Sequence, residues 1–190
     1  MEPSAFWDFS LAVYGRPEVA AACLGLQDRH GLDVNLLLLA CWLGASGRGA
    51  LGQPAWRDLC AQVAVWQGQV VSPLREVRRR LKGMLPADAS ANADPIAALR
   101  RAVADCELDA ERLEQLMLER AVAMADKAGV EQDDAEVRCV AAIANLCAYL
   151  AVAGVDSTGE RRALSVLLGA AFTELAPNRL AERLEAGCSS

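Results

Sequence analysis

Catalysis and ligand binding both need polar side chains that converge, and the segment Arg29-His30-Gly31-Leu32-Asp33-Val34-Asn35 concentrates them between two strongly apolar stretches. His30 is the only histidine of the chain, so nucleophilic chemistry of the Cys–His or Ser–His type has a single imidazole base to draw on. No G-x-S-x-G elbow accompanies it. Asp33 suits the N-cap of a following helix, and Gly31 suits the left-handed residue that ends the preceding one. Capping leaves His30 and Asn35 unexplained. His30, Asp33 and Asn35 are therefore candidate ligand or partner contacts, weighed against a role in satisfying buried backbone groups.

A second polar group is the run Arg75, Arg78, Arg79, Arg80 and Lys82. Guanidinium groups bind phosphate and carboxylate bidentately. The formal net charge of −6 argues against nucleic acid, and an amphipathic helix normally turns such a face to solvent. An acidic protein partner is the alternative, with Arg75 and Arg79 as its contacts.

The remaining motifs fail on their chemistry. Seven cysteines include no C-x-x-C pair, so a structural zinc site is not expected, and they read as small core residues of a reducing, cytoplasmic compartment. Gly44 to Gly52 lacks the Lys-Ser/Thr of a phosphate loop and reads as a connector. Val137 stands where a DDxxD magnesium motif beginning at Asp133 needs its third carboxylate, so Asp133, Asp134 and Glu136 read as helix N-terminal charges. Asp105, Glu107, Asp109, Glu111 and Glu114 read mostly as a solvated face. No metal or cofactor is expected.

Seven of the nine aromatic residues fall within the first 66 positions: Phe6, Trp7, Phe9, Tyr14, Trp42, Trp56 and Trp66. They fill a core, or Trp42, Trp56 and Trp66 wall an apolar-ligand pocket gated by His30, Asp33 and Asn35.

Helices must position all of these groups, because apolar residues recur at helical spacing between Pro, Gly and capping residues and no alternating β-rich run occurs. The spacing predicts an all-α multi-helix bundle of about eight or nine helices, short ones first and longer ones after. Ser4 caps the first, Pro17 opens the second, Asp33 caps the third and Pro54 opens the fourth, ending near Trp66. A fifth spans about 71 to 85 with Leu74, Val77, Leu81 and Met84 as its apolar stripe. A long helix runs from Pro95 to about Ala128 with Leu108, Leu113, Leu116 and Met117 as its apolar side. Helices at about 134–153 and 158–176 and a short tail from Pro177 follow. The apolar stretch Cys139 to Val155 carries Asn145 and reads as a buried core helix instead of a membrane span.

Residues 86–94 (PADASANAD) form a linker candidate between a Trp-rich bundle, 1–85, and an acidic, Ala-rich helical region, 95–190, which could pack on the first as one domain. Residues 1–85 carry nine basic and seven acidic groups, whereas 86–190 carry ten and eighteen.

The texts FWDFSLAVYGRPEV, RHGLDVNLLLLACWLG and WRDLCAQVAVWQGQVVSPLREVRRRLK resemble a family of short uncharacterised gammaproteobacterial proteins, with Trp7, Tyr14, Gly31, Asp33, Asn35, Trp42, Trp56 and Arg75 among the matching residues. The resemblance covers about the first 85 residues and, more weakly, Ala144 to Leu150. It implies a bacterial cytoplasmic protein and carries over no catalytic residue. The expected function is that of a non-enzymatic regulatory or adaptor protein, binding a protein partner through the aromatic helices and the Arg75 to Lys82 face. A small-molecule-binding protein or enzyme with an aromatic pocket is the alternative.

Overall fold

Helix starts in this chain are written locally. Ser4, Asp33 and Asp134 each adopt extended backbone and accept, through a side-chain oxygen, the N–H of Trp7, Asn35 and Glu136 respectively, satisfying donors that the first helical turn leaves orphaned. A computed structural model of the chain describes residues 3–85, 94–125 and 134–187. Among these residues regular structure is helical throughout: α1 (Ala5–Tyr14), α2 (Val19–His30), α3 (Val34–Ala45), α4 (Gln53–Trp66), α5 (Ser72–Gly83), α6 (Pro95–Ala125), α7 (Ala135–Val152), α8 (Arg161–Ala171) and α9 (Pro177–Gly187). The protein is an all-α multi-helix bundle.

Three boundaries differ from expectation, the helix expected at about 158–176 being confined to Arg161–Ala171 after a 3-10 turn at Ser157–Glu160. Pro17 does not open α2, because Glu18 sits in the left-handed region at φ 67° and the helix begins at Val19. The helices expected as separate fourth and fifth are one continuous rod, since Gln67–Val71 form a π-helical turn between α4 and α5. Pro73 supplies the reason. Its ring would collide with the carbonyl four residues back in a regular α-helix and it has no N–H to give, and the wider turn relieves both conflicts.

The core is built on α3, where every residue from Asn35 to Gly44 is buried. Helix α7 lies against it so closely that a β-carbon on Gly44 would come within 2.5 Å of the Ala142 nitrogen and the Arg138 carbonyl oxygen. Around this pair, Phe6, Cys23, Leu26, Trp56 and Val63 from one side of the chain join Leu118, Ile143, Leu146, Leu167 and Phe172 from the other in a single apolar cluster. The linker candidate 86–94 lies outside the described residues except for Asp94, which caps α6 by accepting the Ile96 N–H at 2.7 Å.

By length and composition α7 is the one described helix that could cross a membrane. In the fold Cys139, Ala142, Ile143, Leu146 and Leu150 are core residues. Buried Asn145 accepts the Leu51 N–H at 2.8 Å and donates to the Gly49 carbonyl at 2.9 Å, tying the loop after α3 to α7.

Helix α5 buries no residue and runs along α6. Its expected apolar stripe is only partly its inner face, because Leu74 and Leu81 are half-buried and Val77 and Met84 exposed, while Arg75 and Arg78 turn onto α6. On α6, Leu108 and Leu113 are likewise exposed while Leu116 is buried and Met117 half-buried, and Glu107, Ala110, Glu114, Leu118 and Val122 form the inward row.

Candidate functional site

The cap of α3 begins a polar seam through the middle of the bundle. Asp33 Oδ1 accepts the Asn35 N–H at 2.7 Å, and the Asp33 N–H itself donates to the Tyr149 hydroxyl at 2.7 Å. Asn35, one turn into α3, is buried and donates to Glu114 Oε1 at 3.0 Å while accepting from Gln115 Nε2 at 2.8 Å. From the π turn, Gln67 donates to Glu114 Oε2 at 2.7 Å. The amide dipoles thus run Gln115 to Asn35 to Glu114, met from the far side by Gln67. Helix α6, the π turn and α3 are joined at one carboxyl group.

That carboxyl is fully buried. Burial, followed by the charge of Asp33, pushes Glu114 well above the usual carboxylate range, against the stabilising bonds from Asn35 and Gln67. Asp33 is also raised by burial, but the Asn35 and Leu36 amides, the bond with Glu114 and the Arg75 guanidinium oppose the rise. The two carboxyls titrate as a pair that keeps one proton between them, held by Glu114, with the negative charge on Asp33 at the positive end of α3.

Beside this pair lies an ion-pair group. Arg75 Nε and Nη2 bond Glu107 Oε1 at 3.1 Å and Glu111 Oε1 at 2.8 Å, and Arg78 bonds both oxygens of Glu107 at 2.5 and 3.1 Å. For Glu107 the upward push of burial is overcome by Arg78 and Arg75, and its carboxyl sits below the ordinary range. Glu111 is raised by burial.

Two cavities flank Asp33. An inner chamber of about 360 Å³ is lined by Trp7, Ser10, Tyr14, Leu38, Gln115 and the Arg75–Glu107–Glu111 group, among others. An outer cleft of about 830 Å³ reaches Gly31, Cys60, Glu76 and Tyr149. Gln27, Asp33, Gln67, Arg75 and Arg79 border both. Of the chamber's lining residues, Ser10 and Gln115 each hold one solvent-shielded oxygen, Oγ and Oε1, that makes no hydrogen bond, while Asp33 shares its proton with Glu114.

The structure brings Asp33, Asn35, Arg75 and Arg79 together and sends the other candidates elsewhere. His30 bonds Glu160 Oε1 at 2.7 Å next to Arg29, at the surface, and lines neither cavity. Trp42 packs on Phe6 with ring centroids 5.2 Å apart, Trp56 stacks on Tyr149 at 5.5 Å, and Trp66 donates its indole N–H to the Ala110 carbonyl at 3.0 Å. None of these three tryptophans lines either cavity: Trp42 and Trp56 belong to the core, and half-buried Trp66 ties α4 to α6. Trp7 and Tyr14 are the aromatic residues at the chamber.

The face assigned to an acidic partner is engaged in part by the chain's own α6, through Glu107 and Glu111. The expected solvated row on α6 is split: Asp105 and Asp109 are exposed, whereas Glu107 and Glu114 are buried. Glu114, Gln115, Gln67, Glu107 and Glu111 are the site residues that sequence reasoning missed. Their available signal was the 4, 3 spacing of Glu107, Glu111 and Glu114, which places three carboxyls on one face of a helix. Among the described residues no group of three His, Cys, Asp or Glu side chains is placed to hold a metal ion.

Fold and site together define an all-α bundle protein with a buried carboxyl pair at the boundary of two cavities. The chain belongs to a protein family of unknown function, DUF2390, whose model matches residues 5–118. No curated protein and no solved structure matches the chain. The matched span holds Asp33, Asn35, Gln67, Arg75, Arg79 and the α6 carboxylates but ends before Tyr149 and Glu160.

Proposed function

We propose that this protein binds a small organic molecule in the chamber between α1, α3, α5 and α6. The observation that carries this reading is the chamber itself, about 360 Å³ in volume, whose wall joins Trp7, Val34 and Leu38 with the polar residues Ser10, Asp33, Asn35 and Gln115. The chamber's volume is in the range of small-molecule sites, and its wall mixes apolar surface with a few directed polar groups. A cytoplasmic setting accords with this, since Cys23 and Cys41 are buried free thiols that fill core space.

The test is a thermal-shift screen of a metabolite-sized library on the full chain, with Ser10→Ala and Gln115→Leu in parallel. The expected result is a compound that raises the melting temperature of the wild type and not of the variants, while Ser10→Ala without ligand is at least as stable as wild type because an unsatisfied hydroxyl is gone. If no compound stabilises the wild type, the chamber holds no ligand and the reading falls.

A further inference from the structure

We propose that the chamber selects organic carboxylates, with the head group paired to Arg79 and the apolar remainder lying on Trp7, Val34 and Leu38. The inference rests on the ligand-binding reading above and gives it a chemical class. Its basis is the one guanidinium of the chamber wall that has no counter-charge. Arg75 is bonded to Glu107 and Glu111, and Arg78 to Glu107. Glu76, three residues before Arg79 and so its neighbour along α5, bonds Arg80 instead. Among the described residues Arg79 makes no ion pair, although it borders both the chamber and the outer cleft. A carboxylate presents two oxygens to the planar fork of such a guanidinium, whose N–H donors match them in pairs.

The neighbouring charges direct an anion to this point. Arg75 stands four residues before Arg79, so the two cations share one face of α5 and repel each other, and a bound carboxylate relieves that repulsion. Asp33 also borders both cavities, but its carboxyl is engaged by the Asn35 and Leu36 amides and by Glu114, so its charge is met at the cap of α3. A cationic ligand would lie beside three guanidinium groups, one of them unmatched. A phosphate dianion would bring two charges to that one guanidinium, next to Glu107 and Glu111. Away from α5 the wall is apolar, and Leu11, Leu24 and Leu108, each about half exposed, extend that surface outward. A carboxylate carried on a hydrocarbon or aryl body fits this arrangement better than a sugar acid or a compact dicarboxylate, which would leave the leucines wet.

The experiment titrates the full-length protein by calorimetry with hydrocinnamate, the neutral hydrocinnamamide, the cationic phenethylammonium and the dianionic 2-phenylethyl phosphate. The expected order is hydrocinnamate first, the amide about tenfold weaker or worse, and no saturable binding of phenethylammonium. Arg79 is exposed, so Arg79→Gln keeps the fold; it is expected to weaken hydrocinnamate about tenfold while leaving the amide unchanged. Lys82→Gln removes the same charge from the same helix at a residue bordering neither cavity, and is expected to leave the affinity as it is. Phenethylammonium binding as tightly as hydrocinnamate, or an Arg79→Gln variant of unaltered affinity, overturns the carboxylate assignment, and so does tighter binding of the phosphate. If the probes fail while the library screen yields a neutral or cationic ligand, the assignment falls and the ligand-binding reading survives. A library carboxylate that loses affinity with Arg79→Gln upholds both. If nothing binds in either experiment, both fall.

Discussion

A carboxyl group buried beside an ionised carboxylate is comfortable only while it keeps its proton, and Glu114 is in that position because α6 delivers it to the cap of α3. Its folded-state pKa lies above its unfolded one, so the stabilisation from its protonated form is complete at and below the ordinary carboxylate range and is lost as pH rises toward the folded value. Urea unfolding followed from about pH 5 to about pH 9 is expected to show stability falling with pH, on the order of 1 kcal/mol per pH unit at most in this window. Glu114→Gln, which cannot ionise, is expected to flatten that slope while Glu107→Gln leaves it in place. A slope unchanged by Glu114→Gln would show that the pair holds no shared proton. At this scale the sequence was half legible. Asp33 and Asn35 stood out because a cap is a local pattern and a second polar residue just inside an apolar helix is conspicuous. Glu114 was hidden by the acidic residues around it, since a buried and a solvated glutamate read alike until the face of the helix is known.

The secondary elements show why faces were harder to assign than boundaries. Caps and prolines mark helix ends within a few residues, and Ser4, Asp33, Asp134 and Pro177 each stand at or beside the start of a helix. Choosing which side of α5 and α6 turns inward required knowing that arginines on one meet glutamates on the other, a long-range fact. Because that contact anchors a helix whose apolar Leu74 and Leu81 are only half-buried, Glu107→Gln is expected to loosen it selectively. Amide hydrogen exchange should accelerate across residues 72–83 and stay unchanged in α3 and α7; uniform acceleration would mean the ion pairs support the whole core. Gly44 provides the opposite case, an element contact with no slack. Gly44→Ala pushes a methyl group into the backbone of α7 and is expected to cost about 1–3 kcal/mol in chemical denaturation, with the loss spread over the entire fold.

For the molecule as a whole, the division into a Trp-rich part and an acidic part describes composition and not packing. Leu36 to Leu43 lie on a helix packed against α1, α2, α6, α7 and α8. A chain ended at residue 118, the limit of the family match, would keep the carboxyl pair but strip α7 from α3 and leave most of a leucine-rich helix in water. Such a fragment is expected to show no cooperative urea transition by circular dichroism, whereas the full chain unfolds in one step. A folded fragment would mean that α7 is an accessory to the core. The charge contrast finds a partial explanation here too, since arginines of the first part and glutamates of the second pair within the chain.

The turn at Gln67–Val71 has a geometric consequence of its own. A π-helical turn advances each residue through a smaller angle than an α-helix does, so five residues wound this way leave everything after them rotated by roughly a quarter turn from where an unbroken helix would put it. That offset is a compass setting for a rigid rod. It lets Leu59 and Val63 point at the core while Arg75 and Arg78, on the same rod, point at α6. Lengthening a loop of this protein would alter only the loop. One residue added within 67–71 would swing the Arg75 and Arg78 guanidinium groups to a new bearing and detach them from their carboxylates, with every helix still intact.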